Sequence, residues 1–136
     1  VDPGQVEDLA AMARILIIDD YAGSRETLGD FLGLLGYEVL LASDGPSGLQ
    51  MLADGKPNLV FLDIVMPGMS GLEVIRRVRE VNSSIPVVMI TGHDNTEIGR
   101  DLLLAGATDF IRKPLNFDYV QRVVETCLAK QPRPRD

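Results

Sequence analysis

The chain predicts an α/β domain built on a doubly wound parallel sheet, and three observations predict it. Five short strand-like segments recur along its 136 residues, four of them continuous apolar runs rather than alternating ones, as expected of strands buried on both faces. Each run is followed by a segment with apolar residues at helical spacing. The connections between them are short, and right-handed crossovers between parallel strands then place helices on both sides of one sheet.

In chain order, Ile15 to Ile18 is the first apolar run and ends in Asp19-Asp20. A helix follows with Leu28, Phe31, Leu32 and Leu35 on one stripe, and Gly36 stops it. Val39 to Leu41 is the second strand. Pro46 opens a short helix through Leu49 and Leu52, closed by Gly55. The third strand, Leu59 to Leu62, runs directly into Asp63 and the stretch DIVMPGMSG. Ser70 and Glu73 then have the spacing of a capping box for a helix carrying Leu72, Ile75, Val78 and Arg79. Pro86 precedes the fourth strand, Val87 to Ile90. Asp94 and Glu97 form a second capping pair, for a helix that Gly106 ends. The fifth strand is Thr108 to Ile111. The last helix spans about Asn116 to Ala129, with Val120, Val123, Val124, Cys127 and Leu128 on one face.

Residues 14–130 therefore read as one domain. Residues 1–13 have no strand period and read as an N-terminal extension, tag or linker, with Met12 as a natural start. The Pro-rich tail 131–136 reads as the domain's end or the first residues of a linker. With 46% apolar and 24% charged residues the default is a soluble globular protein. A formal net charge of −7 argues against nonspecific nucleic-acid binding, which needs cations to neutralise phosphate. No apolar run is long enough to span a membrane and no signal peptide is recognisable. A single cysteine, Cys127, excludes an internal disulfide and suits a reducing compartment, so the reading is cytoplasmic.

The chemistry collects at the C-terminal tips of the strands, where open α/β sheets bind ligands. The first strand offers Asp19 and Asp20, the third Asp63, the fourth Thr91 and the fifth Lys113, whereas the second ends in Ala42-Ser43-Asp44, apart from this set. A flavodoxin-like strand order of 2-1-3-4-5 in a (βα)5 sheet makes the first and third strands neighbours, so three carboxylates share one crevice with a hydroxyl and an ammonium. Such carboxylates repel unless a cation intervenes or one of them takes a proton. Oxygen ligands from few side chains suit Mg2+. With the metal bound, the Asp63 carboxylate is placed to attack phosphorus and form an aspartyl phosphate, with Lys113 and Thr91 holding phosphoryl oxygens.

These residues, DD after the first strand, DIVMPGMSG after the third, TG after the fourth and FIRKP at the fifth, make the chain resemble a response-regulator receiver domain (CheY-like) of two-component signalling. The resemblance covers Arg14 to Lys130. It implies that Asp63 is the phosphoacceptor, that Asp20 ligates Mg2+ directly with the backbone carbonyl of Val65, and that Asp19 acts mainly through a metal-bound water. It also implies that Thr91 is the switch hydroxyl, Lys113 the phosphate-contacting lysine and Phe110 the aromatic rotamer switch, and that the Lys113–Pro114 bond is cis. The implied phosphodonor is a sensor histidine kinase or phosphotransfer protein. The implied readout is an output domain or downstream protein, or a homodimer, through the surface of the fourth helix, fifth strand and last helix. The chain departs from the family pattern at Gly92, where Ala, Ser or Thr is usual, and at Phe110, where Tyr is commoner. His93, the only histidine, lies on a loop rather than on a helix of a bundle and is not expected to be a phosphodonor.

Each residue also has a plainer reading. Asp19-Asp20 alone is a loop or cap, Thr91 a strand-end hydrogen bonder, Lys113 a surface lysine and Phe110 a half-buried edge aromatic; Cys127 is core, and Met66, Met69 and Met89 are loop and core packing. Only their common register promotes the set. On the fourth helix Leu104 shares a face with Glu97, Arg100 and Asp101, while Ile98, Leu102 and Ala105 point inward; an isolated exposed leucine is ordinary, and a partner contact beside the fifth strand and last helix is its alternative reading. Other functions remain open: a receiver-like module of a hybrid kinase or larger regulator, a flavin or nucleotide module, and a phosphohydrolase of the haloacid-dehalogenase kind. The acids of DDYAGSRE disfavour phosphate binding after the first strand, and adjacent rather than spaced acids there disfavour the hydrolase.

Overall fold

The computed structural model describes residues 13–92 and 96–129. His93, the Asp94–Glu97 capping pair, the inward Ile98, the leading segment through Met12 and the tail lie outside the described residues and side chains. The elements alternate as β1 (Arg14–Ile18), α1 (Ala22–Leu34), β2 (Glu38–Ala42), α2 (Gly45–Gly55), β3 (Leu59–Asp63), α3 (Gly71–Val81), β4 (Val87–Thr91), α4 (Thr96–Ala105), β5 (Asp109–Arg112) and α5 (Phe117–Ala129). All strand pairs are parallel and the order is β2-β1-β3-β4-β5.

The continuous apolar runs serve two cores at once because successive side chains on a strand leave opposite faces. Leu16, Ile18, Val60, Leu62, Val87 and Met89 face one side, where Leu52, Val74, Ile75, Val78 and Leu102 of α2, α3 and α4 cover them. Ile15, Ile17, Leu59, Phe61, Val88 and Ile90 face the other, against Leu28 and Leu32 of α1 and Val120, Val123, Val124 and Cys127 of α5. No helix of the described residues is long and apolar enough to cross a membrane.

Two glycines stop helices as expected, by closing Schellman motifs. Gly36 (φ 100) donates to the Gly33 carbonyl while Tyr37 donates to Leu32, and Gly106 (φ 119) and Ala107 repeat the pattern on Leu103 and Leu102. At the end of α2 the outcome differs. Lys56, not Gly55, takes the left-handed conformation (φ 46), and Gly55 is small because Leu40 packs against it, its Cδ1 only 2.6 Å from where a Cβ would stand. Ser70 caps α3 by accepting from the Glu73 amide at 3.2 Å, but the reciprocal half of the box is not formed: the Glu73 carboxylate faces Arg77 at 3.6 Å.

Other boundaries move by one residue. Ala13, expected in the extension, is buried, and its carbonyl accepts from the Glu38 amide, which ties it to β2. Thr108, expected to open the fifth strand, precedes it; its amide donates to the Val87 carbonyl and its hydroxyl accepts from the Val87 amide, closing the ladder from outside.

Candidate phosphoacceptor and cation site

The register puts the site residues at one rim. Ile18 pairs with Leu62, so Asp19 and Asp63, each one residue further on, project side by side from the central strands. Asp63 itself pairs with Ile90, and Thr91 with Arg112, which brings Thr91 and Lys113 alongside. Carboxylate oxygens of Asp19, Asp20 and Asp63 lie within 4.8 Å of one another. Asp19 and Asp63 are the only buried charged side chains among the described residues, while Asp20 is exposed at the mouth. The expected convergence of three acids is therefore present.

Asp63 is held at both oxygens. The Val65 amide donates to Oδ1 at 3.1 Å, and Lys113 Nζ donates to Oδ2 at 3.3 Å as an ion pair, the lysine reaching in from the rim. The Lys113 amide donates to the Thr91 carbonyl at 2.7 Å, which fixes the start of the loop after β5, and the Lys113–Pro114 bond is cis, as expected. Asp19 is anchored by its amide to the Ala42 carbonyl and by its carboxylate to the Tyr21 amide. Burial, with Asp63 adding negative charge beside it, pushes the Asp19 carboxyl up to about 6 against the pull of the Tyr21 amide and Lys113. Two buried acids and one exposed acid, all oxygen donors and with one ammonium among them, form a set that a hard divalent cation would relieve, and the unfavourable ionisation of Asp19 agrees with this.

Of the remaining expected residues, Thr91 stands at the end of β4 and is partly buried. Phe110 is partly buried on β5, an edge strand, packed on the α2–α4 side of the sheet; a Cβ placed on Gly99 of α4 would stand 3.7 Å from its ring. Val65 exposes 60% of its surface at the mouth. Asp44 is a helix cap, accepting from the Ser47 amide and hydroxyl, apart from the acids as expected. A Cβ on Gly92 would meet nothing within 4 Å, in keeping with an open approach to Thr91.

Two features were not foreseen. A cleft of about 480 Å³ opens beside the acids, between the first turns of α1 and the loop into α5, lined among others by Asp19, Tyr21, Thr27, Lys113, Pro114 and Phe117. Arg25 of α1 donates to the backbone carbonyl of Asp19 at 2.8 Å. Nothing in DDYAGSRE marks that arginine, because its partner is a main-chain oxygen.

A doubly wound parallel sheet with acids at the tips of the neighbouring strands β1 and β3 and a lysine just past its edge strand β5 is the arrangement of a receiver-like α/β domain. The model of the response regulator receiver domain matches residues 15–125, and the chain belongs to that family. Response regulator MprA of Mycobacterium avium is 35% identical over 123 residues, covering 90% of this chain and 54% of that protein. A cyclic di-GMP phosphodiesterase of Thermotoga maritima is 35% identical over 117 residues, 86% of this chain but 31% of the relative. Among solved structures, the receiver domain of NtrX from Brucella abortus superposes with a TM-score of 0.82 at 36% identity, covering 86% of this chain and 99% of that one. A receiver domain protein from Clostridium thermocellum gives 0.83 at 26% identity, covering 88% and 96%. The chain spans about a third to a half of the length of the curated relatives named here.

Proposed function

We propose that this receiver domain is a phosphorylation-controlled switch in which Asp63 accepts the phosphoryl group. One observation carries the reading: the most enclosed carboxylate that also has a cationic partner, Asp63, is 3.3 Å from Lys113 and within 4.8 Å of two further acids. Asp20, Asp63 and the Val65 carbonyl would hold Mg2+, with Asp19 contributing through a water. When bound, the metal neutralises developing charge on the transferring phosphoryl group.

In the transfer, an Asp63 oxygen forms a bond to phosphorus as the bond from phosphorus to the donor's imidazole nitrogen breaks. The electron pair leaves with that nitrogen. Lys113 supplies positive charge to the phosphoryl oxygens and the Thr91 hydroxyl donates to one of them, so Thr91 is drawn toward β3. Phe110, whose ring faces Gly99 with no side chain between them, turns into the space that this movement opens, and the surface of α4, β5 and α5 changes shape. That surface carries exposed Leu104 and Tyr119. The phosphodonor is a sensor histidine kinase or phosphotransfer protein. The readout is an output domain, a downstream protein or homodimerisation, in the cytoplasm. The domain promotes its own phosphorylation and dephosphorylation and turns over no external substrate.

Intact mass after incubation with acetyl phosphate and Mg2+ tests this directly. One added phosphoryl group in the wild type and none in Asp63→Asn is the expected result; phosphorylation persisting at the same site in the variant would refute it. Steady turnover of small phosphomonoesters would instead favour the hydrolase reading, whose nucleophile belongs after the first strand.

A further inference from the structure

Asp20, the expected direct ligand, is the one exposed acid of the three. β1 stops pairing at Ile18. One residue later, Asp19 is still held at its amide by Ala42 and at its carboxylate by Tyr21, but its carbonyl has passed beyond the ladder. Arg25, one turn into α1, reaches back and donates to that carbonyl at 2.8 Å. Asp20 follows immediately, exposed, and among the described residues no side chain holds its carboxylate.

The peptide between Asp19 and Asp20 is planar, so fixing the Asp19 carbonyl also fixes the Asp20 amide and the position of its Cα, which leaves only rotation about N–Cα and the side-chain torsions to aim the carboxylate. We propose that Arg25 is a positioning residue for the cation site, holding this peptide so that the Asp20 carboxylate stays near Asp63. The inference rests on the reading of Asp19, Asp20 and Asp63 as that site. Arg25 acts through a carbonyl and not as a counter-charge: the cation that favours ionised Asp19 is Lys113.

The sign of one measurement separates positioning from charge. A guanidinium beside a Mg2+ site repels the metal, so if charge were its only effect, Arg25→Met would tighten Mg2+ binding. If Arg25 positions Asp20, the same substitution weakens it, by about tenfold, the lower end for loss of a group that orients a ligand. Calorimetric titration with Mg2+ alone reads this without any turnover. Arg25→Gln, neutral and shorter, carries the same expected sign should the Met variant misfold.

In acetyl phosphate reactions the Mg2+ concentration for half-maximal rate should rise in the variant while the rate at saturating Mg2+ stays as in the wild type. Unchanged or tighter Mg2+ binding would overturn the proposal, as would a fall in the saturating rate, which would put Arg25 at the reacting phosphoryl group. Asp20→Asn serves as the control: if it binds Mg2+ as the wild type does, the reading of the acid cluster fails rather than the role of Arg25.

Discussion

Asp19 makes the metal-free protein a poor host for its own charge, and the cost can be measured. Its carboxyl is pushed from 3.8 to about 6, chiefly by burial. The native state therefore binds more protons than the unfolded state between these values, and stability must fall as pH rises through that window, levelling off above it. A shift of about two pH units corresponds to a loss of about 3 kcal/mol. For a domain of this size that is on the order of 10 °C in Tm.

Asp19→Asn removes the ionisation yet keeps an oxygen for the Tyr21 amide. Urea unfolding followed by far-ultraviolet circular dichroism, with chelator present, should give equal stabilities for the two proteins near about pH 4 and a more stable variant near about pH 7. Comparing the two proteins cancels the opposite contribution of groups such as Asp44, whose pKa is lowered by the Ser47 amide and hydroxyl. Mg2+ should close the gap, because it binds the ionised acids of the native state only. Parallel stability curves for wild type and variant across the whole range would refute the argument.

Three further substitutions test other parts of the structure. Gly106→Ala should destabilise by about 2 kcal/mol or more in urea titrations, since φ is 119 and the new Cβ would stand 2.8 Å from Arg79 Nε. Lys56→Gly should stabilise by about 0.5 kcal/mol, because relief of the left-handed conformation (φ 46) exceeds the added freedom of the unfolded chain. Leu104→Glu should leave stability within about 0.5 kcal/mol, as the side chain is 81% exposed. If homodimerisation through α4 is the readout, sedimentation with beryllofluoride and Mg2+ should show self-association in the wild type that the Leu104→Glu variant lacks.

Much of this was legible in the chain because the informative signals are local. Continuous apolar runs announce strands buried on both faces, and a residue directly after such a run must stand at a strand tip. Asp19, Asp63 and Thr91 are placed by that rule alone, with Lys113 two residues past Ile111, and the strand order then brings the acids together. Gly36 and Gly106 announce their helix ends because a positive φ is most readily adopted by glycine.

What was not legible is which of several partners a side chain takes, above all where the partner is a backbone group. Glu73 turns to Arg77 instead of its cap, and the capping spacing cannot show which partner wins. Thr108 looks like a strand residue by composition but uses its hydroxyl on the Val87 amide. Arg79 reads as one more residue of an amphipathic helix. In the folded chain its guanidinium donates to the Gly106 carbonyl at 2.5 and 3.0 Å and to the Ile85 carbonyl at 2.6 Å. Backbone carbonyls carry no sequence signature, so Arg79 and Arg25 were both hidden for the same reason.

The rim opposite the acids is stapled by arginines on main-chain oxygens, Arg79 on Gly106 and Ile85, and Arg14 on Gly55. Cohesion and chemistry are thus lodged at opposite poles of the same sheet. A designer could strip the upper pole of every carboxylate and still expect a cooperatively folding scaffold. Drift that retunes how long a phosphoryl group persists need not pass through misfolded ancestors.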